Sequence, residues 1–160
     1  MKIPIVNEKD EIIGYEDRDK RDPKAICRIT ALWLTDSDGN ILFAQRAFNK
    51  KMSPGLWGPA VAGTVEEGET YESNIIKEAK EEIGLVGFKP ILGPKIRRST
   101  NHEAFAQWFT TVVDHDYPFI KQDEEVANLK WFYRDEFLKL LEEKPEMFLA
   151  DFKRYKGVLF

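Results

Sequence analysis

The run from Gly63 to Leu85, GTVEEGETYESNIIKEAKEEIGL, constrains this chain more than any other part of it. Its second half reads as a short amphipathic helix. Thr70, with Ser73 as the second choice, is placed to cap the start, and Gly84 is placed to end it, because glycine takes the left-handed conformation at little cost. Ile75, Ile76, Ala79 and Ile83 supply an apolar stripe. Glu78, Glu81 and Glu82 then stand at i, i+3 and i+4 on one face. Carboxylates that close repel one another. Most Glu-rich helices simply present a solvated face, but a hard divalent cation, which binds carboxylate oxygen, would give the repulsion a purpose.

The flanks favour the second reading. Five residues separate Gly63 from Glu69, and seven separate Glu69 from Lys77. The whole arrangement resembles the Nudix box: glycine, five residues, glutamate, seven residues, Arg-Glu, an aliphatic, any residue, Glu-Glu, any residue, glycine, an aliphatic. Gly63, Glu69, Glu78, Glu81, Glu82, Gly84 and Leu85 match, with the small apolar Ala79 at the first aliphatic position. Lys77 replaces the usual arginine, which keeps the charge but loses the planar fork that grips a carboxylate with two hydrogen bonds.

The resemblance implies an α+β fold, a Nudix-type α/β/α sandwich with a mixed β-sheet. It implies a pyrophosphohydrolase that cleaves the phosphoanhydride of a nucleoside diphosphate linked to another moiety, with Mg2+ (or Mn2+ in its place) activating the attacking water. Glu78 and Glu82, four apart, are the first choice as metal ligands, and Glu81 is a third ligand or a base. The resemblance adds the backbone carbonyl of Ala62 as a ligand, and Glu69 with Lys77 as a pair bracing the loop at Gly63 against the helix. A further acid from outside the box often completes such a site. Glu103, Glu124 and Glu125 are the candidates, and Glu125, in a loop before a strand, is carried forward as catalytic. Arg46 is the candidate for a substrate phosphate, ahead of Arg97 and Arg98.

Two other readings compete. The hairpin-like N-terminus and DRDKRDPKAI also resemble Nudix proteins related to isopentenyl-diphosphate isomerase, in which a cysteine precedes the box glycine and a histidine follows it. Here those places hold Ala62 and Thr64; Cys27 lies 35 positions before Ala62, and Asn101 stands where a second strand acid is expected beside Glu103. The third reading is a non-catalytic nucleotide- or diphosphate-binding module, which has no need of three repelling carboxylates.

The rest of the chain reads as one domain spanning all 160 residues. A hairpin is expected over about 3–16, strands at 25–35, 41–46, 89–97, 104–113 and 126–132, an extended segment at 59–65, and C-terminal helices over about 135–156, at 135–142 and 145–155. Asp36 to Asn40 is a turn signal. The net charge of −4 argues against a nucleic-acid partner, and no apolar run approaches a membrane span. A lone cysteine and the absence of an apolar leader suit a cytoplasmic setting. Trp33, Phe105 and Trp108 are candidates for a base pocket, with core packing the commoner role; His102 and His115 are expected in solvent. The aromatic stripe of Met147, Phe148, Phe152 and Tyr155 reads as core or interface, and the apolar segment 147–160 could pack between the subunits of a homodimer, the assembly itself being left open; the partner molecule is a small diphosphate or nucleotide.

Overall fold

A computed structural model of the chain describes every residue except Asn101; the sequence expectation that falls on Asn101 therefore lies outside the described residues. A two-stranded antiparallel ribbon, β1 (Lys2–Val6) and β2 (Ile12–Asp17), precedes the main sheet. The main sheet contains β3 (Cys27–Thr35), β4 (Ile41–Arg46), β5 (Trp57–Pro59), β6 (Val61–Thr64), β7 (Ile91–Ser99), β8 (Glu103–Val112) and β9 (Val126–Phe132). Helix α1 spans Tyr71–Ile83, α2 Arg134–Glu143 and α3 Ala150–Arg154.

β3 runs parallel to β8 along its length, and the remaining pairs are antiparallel. A parallel neighbour needs a long crossover, and α1 lies within that connection. The other edge of β3 is divided. Only Leu34 and Thr35 pair with β4, whereas Ile29 to Leu32 pair with β6. β3 and β4 therefore separate as they leave the Asp36–Asn40 turn. Short β5 and β6 fill the opening, and the candidate site forms beside them.

Alternation along β3 assigns the two layers. Leu32 and Leu34 point to one face, where they meet Ile75, Ala79 and Ile83 of α1. Ala31 and Trp33 point to the other, into a cluster with Phe43, Trp108, Phe132, Phe137 and Phe152. Phe43, Phe132, Phe137 and Phe152 are fully buried, each stabilising the fold by roughly 1.5–3 kcal/mol relative to exposure. Trp33 and Trp108 are spent in this core, and Phe105 is buried in a separate small cluster, so these three aromatics serve packing.

Two local expectations are corrected. The helix read at 145–155 is broken into a 3-10 turn, Pro145–Met147, and α3. Phe148 between them is extended (φ −115°, ψ 157°) and bridges to Trp57, while the Leu149 N–H donates to the Trp57 carbonyl at 2.9 Å. Pairing with the sheet outcompetes continuation of the helix. Within α1, Ile76 is exposed and Asn74 is buried in its stead. Of the two roles open to the C-terminal aromatics, Phe148 and Phe152 take that of core, and Phe160 stacks on Trp33 at 5.2 Å. Among the described residues no helix is long and apolar enough to cross a membrane.

Candidate active site

The helix carrying the glutamates is held at both ends as its sequence dictates. Thr70 accepts from the Ser73 N–H at 3.0 Å, and the Ser73 hydroxyl accepts from the Thr70 N–H at 2.9 Å, a reciprocal cap that satisfies two free donors. Gly84 ends the helix at φ 67°. The carbonyls of Glu82 and Ile83, left free at the helix end, are taken by loop N–H groups of Gln122 (2.8 Å) and Ile120 (3.0 Å). The loop expected to carry a mobile acid is thus pinned to α1. A further bond, from the Ala47 N–H to the Glu125 carbonyl at 3.0 Å, ties Glu125 to the end of β4.

These ties bring Glu125 to Glu82. Both line a narrow cleft with Arg46, Gly58, Ala62 and Leu149. Glu82 is partly buried; desolvation first, then the charges of Glu78 and Glu125, push its carboxyl well above the usual carboxylate range. The Ala62 amide and Lys50 draw it only partly back. Burial also raises Glu78, with Lys77 opposing and Glu81, Glu69 and Glu66 adding to the rise. Glu81 itself is exposed. Among the described residues no three His, Cys, Asp or Glu side chains converge closely enough to hold a cation. Glu78 and Glu82 turn inward, and Glu81 stays in solvent.

The strand opposite contributes its backbone. The Val65 N–H donates to the Arg28 carbonyl on the β3 side at 2.9 Å. The preceding Thr64 carbonyl instead accepts from Asn74 of α1 at 3.0 Å. Backbone groups of alternate extended residues share an edge, so Ala62 presents both its N–H and its C=O toward α1, as the pull of its amide on Glu82 requires. Gly63 lies between these two residues. A Cβ there would stand 2.4 Å from Glu78 Cγ and 2.7 Å from Cδ, so the glycine is what allows Glu78 to lie against the strand.

The bracing pair forms. Lys77 Nζ is 2.9 Å from Glu69 and 3.7 Å from Glu78, and also bonds Glu66. Burial opposes ionisation of Glu69, but Lys77, the Glu66 N–H and Asn74 together hold its carboxyl below the usual range. Asn74 was not anticipated from sequence. It accepts from the Thr30 hydroxyl at 2.6 Å and donates to Glu69 at 3.2 Å as well as to Thr64. Its signal was present: a polar residue one position before Ile75 and four before Glu78, on the boundary of the apolar stripe. Lys50, which pairs with Glu125 at 2.5 Å, carried no such signal.

The other candidates are placed elsewhere or differently. Glu103 pairs with Arg97 at 3.1 Å, and Arg97 also holds Glu8. Glu124 is exposed. Arg46 donates to the Met52 carbonyl at 3.0 Å; burial lowers its pKa while Glu125 and Glu82 oppose. Arg98 pairs with Asp151 at 3.2 Å. Cys27 is buried, its thiol pushed up by desolvation and directed at the Glu103 carbonyl at 3.6 Å. His115 is half-exposed, bonding Asp36 at 2.7 Å and stacking on Trp131. His102 departs from its expected place in solvent: its Nδ1 is buried without a partner among the described residues. Burial first, then Arg98, Arg21 and Arg18, lower its pKa to about 4.

Comparison with known proteins bears on the family and the fold. The family model for the NUDIX domain matches residues 27–152. The chain is similar to a protein named "Uncharacterized Nudix hydrolase YfcD" from Escherichia coli K12, at 29% identity over 88% of this chain and 78% of that one. It is 40% identical to an isopentenyl-diphosphate Delta-isomerase of Salmonella heidelberg, but over 33% of this chain and 29% of that one. Among solved structures it is similar to DR0079 from Deinococcus radiodurans, with a TM-score of 0.82 and 22% identity over 100% of this chain and 99% of that one. A MutT protein from Methanosarcina mazei shares the fold with a TM-score of 0.67 and 18% identity over 81% and 89%. With the box side chains on one capped helix, the box glycine against Glu78, and the domain model covering most of its length, the chain belongs to the Nudix hydrolase family.

Proposed function

We propose that this chain is a magnesium-dependent pyrophosphohydrolase acting on a nucleoside diphosphate linked to another moiety, with manganese as a substitute metal. The observation that carries this reading is the partly buried Glu82, which lines one cleft with Glu125 and Ala62 and feels the charge of Glu78 beside it. The donor set of Glu78, Glu82 and the Ala62 carbonyl is all oxygen, as a hard divalent cation requires, and a cation relieves the stress of both carboxylates. Glu81 joins from solvent as a further ligand or base. When bound, the cation lowers the pKa of water and neutralises phosphoryl charge.

The protein's own groups supply the rest. Glu125 accepts the proton of the attacking water, with Lys50 fixing its orientation. Arg46, across the cleft, holds a phosphoryl oxygen. Gly63, Glu69 and Lys77 keep Glu78 in place. The isomerase reading lacks its thiol at Ala62, and Cys27 is buried beside Glu103 rather than in the cleft. The reading includes a cytoplasmic setting and a homodimer; support for the latter moves from the C-terminus to exposed Ile12, Ile13 and Tyr15 of β2.

The test is formation of nucleoside monophosphate and of the phosphorylated second moiety from a panel of nucleoside-diphosphate conjugates with Mg2+, separated by chromatography, for the wild type and Glu82→Gln. Turnover by the wild type and a loss of about a hundredfold or more in the variant, the scale of a missing acid–base or metal-binding group, are expected. Equal turnover at saturating metal removes the role of Glu82; ligand-induced stabilisation with no turnover by either protein points to a binding module instead.

A further inference from the structure

The ribbon β1–β2 stands outside residues 27–152, which the NUDIX family model matches, yet its turn reaches the start of the acidic helix. Asp10 in that turn is 11% exposed at its side chain and lies at φ 61°. Its carboxylate accepts from the Tyr71 hydroxyl at 2.9 Å, from Arg28 Nε at 2.8 Å and from Lys95 Nζ at 2.6 Å. Arg28 Nη2 also donates to the Asp10 carbonyl at 2.6 Å. One carboxylate thus joins three elements, since Tyr71 is the first residue of α1, Arg28 stands on β3 and Lys95 on β7. Both cations lie over the Tyr71 ring, Arg28 at 5.1 Å and Lys95 at 4.9 Å from its centre. Burial opposes ionisation of Asp10, but Lys95, Arg28 and Tyr71 hold its carboxyl below the usual range.

The side of α1 that Tyr71 occupies matters. Asn74, Glu78 and Glu82 follow it at i+3, i+7 and i+11, so the four side chains form one stripe along the helix. Each meets the sheet in turn. Tyr71 meets Asp10 beside Arg28 of β3, and Asn74 meets Thr30, two residues further along β3 and on the same face. Glu78 lies against Gly63 of β6, and Glu82 feels the amide of Ala62. The Glu67 N–H donates to the Lys2 carbonyl at 3.0 Å, so the ribbon also holds the loop before α1. Ile75, Ala79 and Ile83 press the helix onto the sheet, but apolar burial has no direction. The polar contacts along the stripe therefore set where the helix stops as it slides or rolls. Tyr71 is about 10 Å from Glu78 along the helix axis, and the hydrogen-bonded turns between them carry a shift at one end to the other.

We propose that Asp10 is a positioning residue for the metal-binding carboxylates: by holding Tyr71, it fixes the start of α1 on the sheet and so the placing of Glu78 and Glu82 opposite Ala62. This rests on the diphosphate-hydrolase reading for the roles of Glu78 and Glu82.

The experiment compares the intact wild type with Asp10→Asn, Tyr71→Phe and the double variant, below the melting transition of each. Asparagine suits the left-handed backbone at this position, and Tyr71→Phe removes the hydroxyl that reaches Asp10 while keeping the ring. Two quantities are read: nucleoside monophosphate formation from a nucleoside-diphosphate conjugate with Mg2+, and Mn2+ affinity without substrate, by electron paramagnetic resonance. Each single variant is expected to lower kcat about tenfold with KM nearly unchanged, on a logarithmic scale half the loss that a displacement of about 1 Å brings. Each is also expected to weaken Mn2+ binding about tenfold, the lower end for groups that support metal ligands. The double variant should lose no more than the worse single one, because both changes break the same contact. Glu8→Gln, which frees Arg97 from the same turn, is the control and should match the wild type in both quantities. Tyr71→Phe carries the test should Asp10→Asn fail to fold. Unchanged turnover and Mn2+ affinity in the single variants, losses that multiply in the double variant, or an equal loss in Glu8→Gln overturns the proposal. Its failure is separable from failure of the hydrolase reading: weaker Mn2+ binding in variants of a protein without turnover sinks the latter alone, and full activity in both single variants sinks this one alone.

Discussion

Gly63→Ala isolates the box glycine. The backbone of β6 is extended there and accepts alanine without strain, so the effect comes from the added methyl. It would lie 2.4 Å from Glu78 Cγ, 2.7 Å from Cδ and 3.0 Å from Asn74 Oδ1. Carbon atoms prefer about 3.5–4.0 Å, so the Glu78 side chain must retreat by about 1 Å. Asn74 cannot yield easily, since it is fully buried and bonded to Thr30, Thr64 and Glu69. Overpacking of this kind costs about 1–3 kcal/mol, and replacing a strand glycine returns about 0.5–1 kcal/mol. The net loss, from near zero to about 2.5 kcal/mol, lowers Tm by at most roughly 10 °C for a chain of this length. Function should suffer far more, because a displacement of about 1 Å in a positioned group costs about a hundredfold in rate. Thermal melting by circular dichroism and Mg2+-dependent nucleoside monophosphate formation, on the same preparation, read the two effects separately. Turnover within about threefold of the wild type, roughly 0.6 kcal/mol of barrier, would refute the claim that Glu78 must lie against the strand at Gly63.

Two further outcomes follow from particular contacts. His102 has a folded pKa of about 4 against an ordinary 6.5, so between these values the unfolded chain binds the extra proton; stability should therefore fall as pH drops from 6.5 toward 4. Urea titrations across that range should show this slope in the wild type and a flatter one in His102→Gln, and equal slopes would remove the assignment. Lys77→Arg should retain activity, since its charge still meets Glu66, Glu69 and Glu78; a large loss in nucleoside monophosphate formation would mean that the brace depends on the compact ammonium.

Much of α1 is written in neighbouring residues. The caps at Thr70 and Gly84, the inward stripe of Ile75, Ala79 and Ile83, and the shared side of Glu78 and Glu82 follow from helical spacing, and all are present. Strand positions were equally readable where a short continuous apolar run stood beside a turn signal, as in β3 and β4. Errors fell where a distant partner outweighed local preference. Segment 145–155 has helical spacing, yet Phe148 and Leu149 pair with Trp57, about ninety positions earlier. Ile76 has the hydrophobicity for the core, but the buried place on the helix went to Asn74, whose hydrogen bonds to Thr30 and Thr64 no nearby residue announces.

The sequence by itself therefore determined the acidic helix, its ends and the family, because those depend on spacings of a few residues along one backbone. Only the tertiary structure decided which outside acid joins Glu82. Glu103, Glu124 and Glu125 are chemically interchangeable on paper, and the choice of Glu125 depends on loop N–H groups meeting the carbonyls at the end of α1. It also decided that Asp10 of the ribbon meets Tyr71 at the start of α1. Such meetings are set by how strands and helices pack across long chain separations, and a single sequence carries no local mark of them.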